Sequence, residues 1–321
     1  MTPDRLGAVV NPTSGAGNAP ALFADLAQWF PDATVDARIT ASPMDVHDAA
    51  VEQAEWADLV AVIGGDGTLR EVAAALVDAD LRTPAFVVPA GRGNSTYRHL
   101  YGDADWPAVA RGLAAGVDAR PLDVVRVDCT PAIEQRYYVL GFTAGLFRSA
   151  IETADRLRRL PGPLAYLLAT FGATVVEDPV EVTVGVDGDR LFGGAARLVA
   201  IGGGRFRGRA FELFPDSRPG DGALHAVVVE PTGMIEACRL LGVARDGLVT
   251  DHPAVHYRSG AEATLESPNS VPVEVDGTPV ATPIDTARFS VMPDAVKVAY
   301  PDGDDCSVGR ERSLEGGPPN R

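Results

Sequence analysis

Short apolar runs alternate with amphipathic stretches through the first third of the chain. Residues 6–10, 33–39, 59–63 and 83–88 have the length of strands, and the run at 59–63 has the β-branched content of a buried parallel one. Between them the apolar spacing becomes helical. Leu22, Leu26 and Phe30 share one face of a helix expected over 19–30. Ser42 as N-cap and Pro43 at the first helical position start a second helix, running to about Ala57. Leu69, Val72, Ala73 and Leu76 mark a third, with Thr68 as its expected N-cap and Glu71 three residues on. Residues 107–115 make another.

From Leu122 to about Met292 the texture changes. Short alternating runs appear at 137–140, 180–186, 196–201, 224–229, 263–265, 271–275 and 287–291, with Asp187-Gly188 and Asp276-Gly277 as turns. This is the pattern of an antiparallel sandwich. Helical segments at about 147–159 and 232–245 interrupt it. The expected fold is an α/β N-terminal domain with a Rossmann-like parallel sheet over 1–123, then a C-terminal antiparallel β-sandwich domain over 124–293. The tail, 302–321, is polar with Gly-Gly-Pro-Pro and reads as disordered.

Composition narrows the classes. The net charge is −16, with 44 acidic residues and a single lysine, Lys297. A nucleic-acid-binding face is excluded as a whole-protein property, and no lysine-bearing phosphate loop is available. An acidic, lysine-poor chain suits a high-salt cytoplasm, where charges are screened; a genome favouring arginine codons is the other explanation. Cys129, Cys238 and Cys306 give neither a disulfide framework nor zinc spacing. No apolar run approaches bilayer length and residues 1–10 hold no secretory core, so a cytoplasmic protein is expected.

The candidate chemistry lies where strands end in glycine. Gly64-Gly65-Asp66-Gly67-Thr68 follows one strand and opens a helix, a geometry that presents free N–H groups to a phosphate. Asp66 is anomalous there, because a carboxylate beside phosphates is repulsive unless a cation or a transferable proton lies between them. Asn11-Pro12-Thr13-Ser14-Gly15 and Pro89-Ala90-Gly91-Arg92-Gly93-Asn94 end two other strands. In an open parallel sheet such loops line one crevice.

The ordered set resembles the diacylglycerol kinase catalytic-domain superfamily, which includes sphingosine kinases and bacterial lipid kinases. The resemblance rests on these three loops, on Gly141-Phe142-x-Ala144-Gly145 with Gly162-x-Leu164-Ala165-Tyr166, on Pro215 with Asp221-Gly222-x-Leu224, and on Val275-Asp276-Gly277. It implies an ATP-dependent lipid kinase acting on a hydroxyl of diacylglycerol, a related glycerolipid or a sphingoid base. It also implies nucleotide binding between the domains and a return of residues 294–301 to the first. By the same resemblance Asn11, Ser14, Gly15, Gly64, Gly65, Asp66, Gly67, Thr68, Gly91, Gly93 and Asn94 form the ATP site. Magnesium would sit near Asp66, with a structural ion near Asp216 and Asp221. Asp276 would be the general base, with Asp66 as rival.

Departures are visible. Thr278 stands where the family has glutamate, and Glu274, on the same strand face as Asp276, is a candidate substitute. Ala16 replaces a lysine, which Arg92 and Arg70 could offset. Gly208-Arg209-Ala210 breaks a glycine run. Arg205, Arg207 and Arg209 read as a solvated edge, and Arg156, Arg158 and Arg159 as a polar helix face. A lipid acceptor implies peripheral contact with a membrane surface; a homodimer stays open. The alternatives are a kinase of a soluble substrate resembling NAD kinases, or a catalytically weak regulatory member that binds nucleotide or lipid.

Overall fold

The computed structural model describes residues 1–145, 178–207, 211–247 and 249–303. In its first part the apolar runs become a parallel sheet, β1 (Arg5–Val10), β2 (Thr34–Ile39), β3 (Leu59–Gly64) and β4 (Ala85–Pro89), in the order β2-β1-β3-β4. Every residue of β3 is buried, as a strand covered on both faces must be. The covering helices are α1 (Ala19–Ala27), α2 (Pro43–Trp56), α3 (Asp66–Asp78), α4 (Ser95–Tyr101) and α5 (Trp106–Ala115). Leu26, Leu69, Leu76, Leu100 and Leu113 bring them into one core with β1 and β3. Ser42 caps α2 as its sequence suggests, accepting from the Asp45 N–H at 3.2 Å. For α3 the expectation fails: the helix starts at Asp66 with Gly65 as N-cap, so Thr68 lies inside the first turn. The glycine turn is tight enough for the helix to begin directly after the strand.

The remainder is antiparallel. It comprises β5 (Val117–Thr130), β6 (Tyr137–Tyr138), β7 (Phe142–Gly145), β8 (Val180–Val186), β9 (Asp189–Ala196), β10 (Leu198–Gly202), β11 (Phe206–Arg207) and β12 (Phe211–Glu212). After these come β13 (Leu224–Val229), α6 (Met234–Arg245), β14 (Val255–Gly260), β15 (Glu262–Val271), β16 (Val273–Val275), β17 (Thr278–Pro279) and β18 (Ile284–Pro301). One sheet runs β14-β13-β10-β7-β16-β17. The other joins the parallel sheet, because β18 pairs with β4 near its end and with β15 and β5 along its length. Val125, Phe142, Ile201, Val228, Leu265 and Phe289 fill the space between them.

The divisions expected at 123/124 and 293/294 fall inside β5 and β18. These strands are far longer than their apolar cores suggest, since each crosses from one half of the molecule into the other. The run at 137–140 is cut to two residues because the N–H groups of Val139 and Leu140 turn to Asp276 instead of a neighbouring strand. The helix expected at 147–159, the Gly162–Tyr166 motif, the arginines at 156, 158, 159 and 209, and residues 304–321 lie outside the described residues.

Candidate active site

The loops after β1, β3 and β4 leave the same edge of the parallel sheet, and glycine lets them touch. A Cβ on Gly91 would stand 2.5 Å from the Gly65 Cα, and one on Gly15 would stand 2.2 Å from the Ala90 carbonyl oxygen. Gly15 also takes a φ of +58°, which favours glycine. Asn11 ties the first loop to the second: its Nδ2 donates to Thr68 Oγ1 at 2.9 Å, while Oδ1 accepts from the N–H and hydroxyl of Thr13. Asn94, at a φ of +50°, donates to the carbonyl of Gly91 at 2.9 Å. Its Oδ1 is buried without a hydrogen-bond partner. Ser14 turns the first loop, with its N–H on the Asn11 carbonyl. Arg92 lies exposed on the third.

Asp66 links the second loop to the third. Its Oδ1 accepts the N–H and the hydroxyl of Thr96, both at 2.9 Å, and its Oδ2 accepts the Ser95 N–H at 3.2 Å. A carboxylate is favourable at that place, the positive end of α4. Oδ2 keeps capacity for one further partner. Gly65, the N-cap of α3, brings no side chain to the first-turn N–H groups of that helix, which are therefore presented to the crevice.

The second half of the molecule closes over these loops. Thr278 Oγ1 would be 3.7 Å from a Cβ on Gly67, so the Asp276-Gly277-Thr278 turn faces the start of α3. Arg70 joins the halves: its guanidinium is buried, donates to the Val275 carbonyl at 2.9 Å and pairs with Glu71 at 2.7 Å. It is a clamp and not the phosphate-loop cation its position suggests. Asp276, 3 % exposed, accepts the N–H groups of Val139, Leu140 and Gly141 at 2.9, 2.9 and 2.8 Å. Burial pushes its carboxyl above the usual range, against the pull of Arg207, Arg70 and those N–H groups. Both its oxygens are taken up by backbone N–H groups. Glu274 does not substitute for the missing glutamate, because Thr143 and the Gly277 N–H hold it inside.

Asp216 and Asp221 sit apart from this seam. Burial works against the charge on Asp221, but the His225 ring and the N–H groups of Arg218 and Ala223 hold its carboxyl below the ordinary range. Burial, and after it the Asp216 charge, push the Tyr257 hydroxyl above its ordinary range, and that hydroxyl meets His225 Nδ1 at 2.7 Å. Among the described residues no three His, Cys, Asp or Glu side chains are grouped to hold a metal ion. At the glycine loops the carboxylate oxygen with spare acceptor capacity is Asp66 Oδ2, which takes only the Ser95 N–H.

Sequence reasoning missed two residues of this region and misread the setting of a third. Asp123 accepts from Gly222 at 2.6 Å and Asp294 at 2.9 Å, tying β5 to the loop before β13 and to β18. His99, 1 % exposed, accepts the Arg205 N–H at 3.3 Å. Arg207, read as a solvated edge, is buried. No local pattern marks any of them, since their partners are remote in sequence.

Residues 5–127 match the family model of the diacylglycerol kinase catalytic domain, and residues 142–300 that of the YegS C-terminal NAD kinase beta sandwich-like domain. The chain is 27 % identical over 237 residues to the diacylglycerol kinase of Staphylococcus saprophyticus, covering 72 % of this chain and 75 % of that one. Against the diacylglycerol kinase of Staphylococcus epidermidis it is 27 % identical over 221 residues, or 68 % and 67 % of the two chains. In fold it is similar to a crystal structure of a diacylglycerol kinase from Bacillus anthracis, with a TM-score of 0.68, 18 % identity, and 94 % and 98 % of the chains covered.

Proposed function

The chain belongs to the diacylglycerol kinase catalytic-domain family and is an ATP-dependent phosphotransferase of the lipid-kinase type; on that premise we propose that its acceptor is the free hydroxyl of a diacylglycerol-like glycerolipid. The observation that carries the reading is the contact of Gly65 with Gly91 and of Gly15 with Ala90, which makes three glycine loops one surface. Backbone N–H groups at the start of α3 would receive the nucleotide phosphates.

Asp66 is the residue we assign to the reaction. Its Oδ2 takes only the Ser95 N–H and stands against Gly93, where the second and third loops meet. It would hold the nucleotide's magnesium ion, which supplies charge neutralisation at the transferring phosphoryl group. It is also our choice over Asp276 for the group that orients the acceptor hydroxyl: both carboxylates accept three bonds, but Asp276 is 3 % exposed whereas Asp66 is only partly buried. Asp276 shapes the turn that carries Thr278. Among the described residues no helix is long and apolar enough to cross a membrane, which supports a lipid met peripherally.

The test is transfer of γ-phosphate from ATP into diacylglycerol vesicles, with NAD assayed beside them. Labelled NAD with unlabelled lipid would overturn the acceptor assignment. A second reading, a nucleotide-binding member with slow turnover, draws on Thr278 and on the inward-held Glu274. Nucleotide binding by calorimetry without transfer to any lipid of a broad panel would favour it.

A further inference from the structure

Arg207 is 6 % exposed, yet neither its Nε nor its Nη2 has a hydrogen-bond partner. That edge of the guanidinium is the one other arginines of this chain fill: Arg38 sets it on Glu52, Arg70 on Glu71 and Arg205 on Glu212. Burying a charge with idle donors is costly. An arginine kept there for structure alone would use its fork.

What Arg207 has is a neighbour. A Cβ on Gly141 would lie 2.2 Å from Nη2, so the guanidinium rests against the Gly141 peptide. Gly141 donates its N–H to the Asp276 carboxylate, and its carbonyl accepts the Asp276 N–H at 3.0 Å. Arg70 pairs with Glu71, Glu274 is held by Thr143 and Gly277, and the buried Tyr138 hydroxyl has no partner. Burial favours a protonated Asp276, and Arg207 is the foremost charge opposing it. Protonation matters here because an acid O–H oxygen loses acceptor capacity, and three N–H groups depend on it.

We propose that Arg207 is a positioning residue whose charge, not its hydrogen-bonding fork, keeps Asp276 a carboxylate and so keeps the Thr278 turn seated over Gly67. Its kinetic consequence rests on the phosphotransferase reading above; its effect on Asp276 does not.

The experiment compares the full-length wild type with Arg207→Lys and Arg207→Gln. The Lys variant keeps the charge and loses the fork, so kcat/KM stays within about threefold of wild type with the same acid limb. The Gln variant moves that limb up by about one pH unit, so that activity below it falls about tenfold. Equal losses in Lys and Gln, or an unmoved limb in Gln, overturn the proposal. Thermal midpoints across pH answer without any lipid or nucleotide. The gap between wild type and Gln is wide at neutral pH and closes as pH falls through the raised range of Asp276, until that group is neutral in both; a gap independent of pH means packing alone and overturns the proposal. Should the Gln variant not fold, the Lys variant decides: a wild-type pH profile supports the charge role, and a displaced one ends it.

Discussion

A single oxygen of Asp66, Oδ1, accepts both the backbone N–H and the hydroxyl of Thr96 at 2.9 Å. The acidic residue that makes the glycine loop unusual therefore also caps the helix that follows the next loop. Its two duties can be separated. Asp66→Asn is expected to lose ~1 kcal/mol of stability, as capping changes do, and about a hundredfold or more in kcat. Thr96→Ala removes only the hydroxyl and costs a similar amount of stability while leaving kcat within a few-fold. Urea unfolding beside steady-state kinetics checks both.

Gly91→Ala tests the meeting of the loops. Its methyl would stand 2.5 Å from the Gly65 Cα, where backbone must yield. We expect a KM for ATP raised by about tenfold and ~1–3 kcal/mol of lost stability from overpacking. The same change at Gly102, whose added Cβ would meet nothing within 4 Å, should leave KM as it is, although its φ of +64° brings some strain.

Arg70→Met should be the most damaging single change at the seam. It strips Glu71 of its partner and leaves the Val275 carbonyl without its donor. Breaking a buried pair by removing one member costs about 3–5 kcal/mol, read as a lower urea midpoint. The double variant with Glu71→Leu should recover part of that loss.

Thr278→Glu restores a carboxylate opposite Gly67. Thr278 is only partly buried, so the longer side chain has room to face the crevice. If a base at this place is what the chain lacks, kcat rises by about tenfold or more, within the range of general base catalysis. A kcat equal to or below wild type would argue that Asp66 already fills the role.

His99 makes stability depend on pH. Burial pushes its ring down to about 4 from the ordinary histidine value. Between those two values the unfolded chain binds the proton and the folded chain does not. Stability is therefore complete above the ordinary histidine range and falls as pH drops toward 4. Thermal midpoints of wild type and His99→Gln should converge in that interval, because the variant lacks this slope.

The loops, the strands behind them and the change to antiparallel pairing were readable because each is written in contiguous residues: apolar run, glycine, helical spacing. What was not readable depends on partners far along the chain. Thr68 looks like an N-cap until Asn11 is seen donating to it. Arg70 reads as a phosphate-loop cation and Arg207 as a solvated edge because their settings come from Val275 and Gly141, 205 and 66 positions away along the sequence. Asp276 follows an ordinary turn pattern, and only the backbone of Val139 to Gly141 shows that its carboxylate is enclosed. The lengths of β5 and β18 escaped because polar residues such as Asp118, Arg120 and Lys297 continue the pairing beyond the apolar core.

Because β5 and β18 run through both halves, the described residues hold no slack connector on which those halves could swing. Any widening of the crevice must be taken up as flexure of a shared spar, most readily where β18 slips register between Met292 and Val296 and Asp294 adopts a φ of +54°. A protease cut near residue 123 would sever that spar, not free two self-sufficient pieces. Melting should accordingly be a single event.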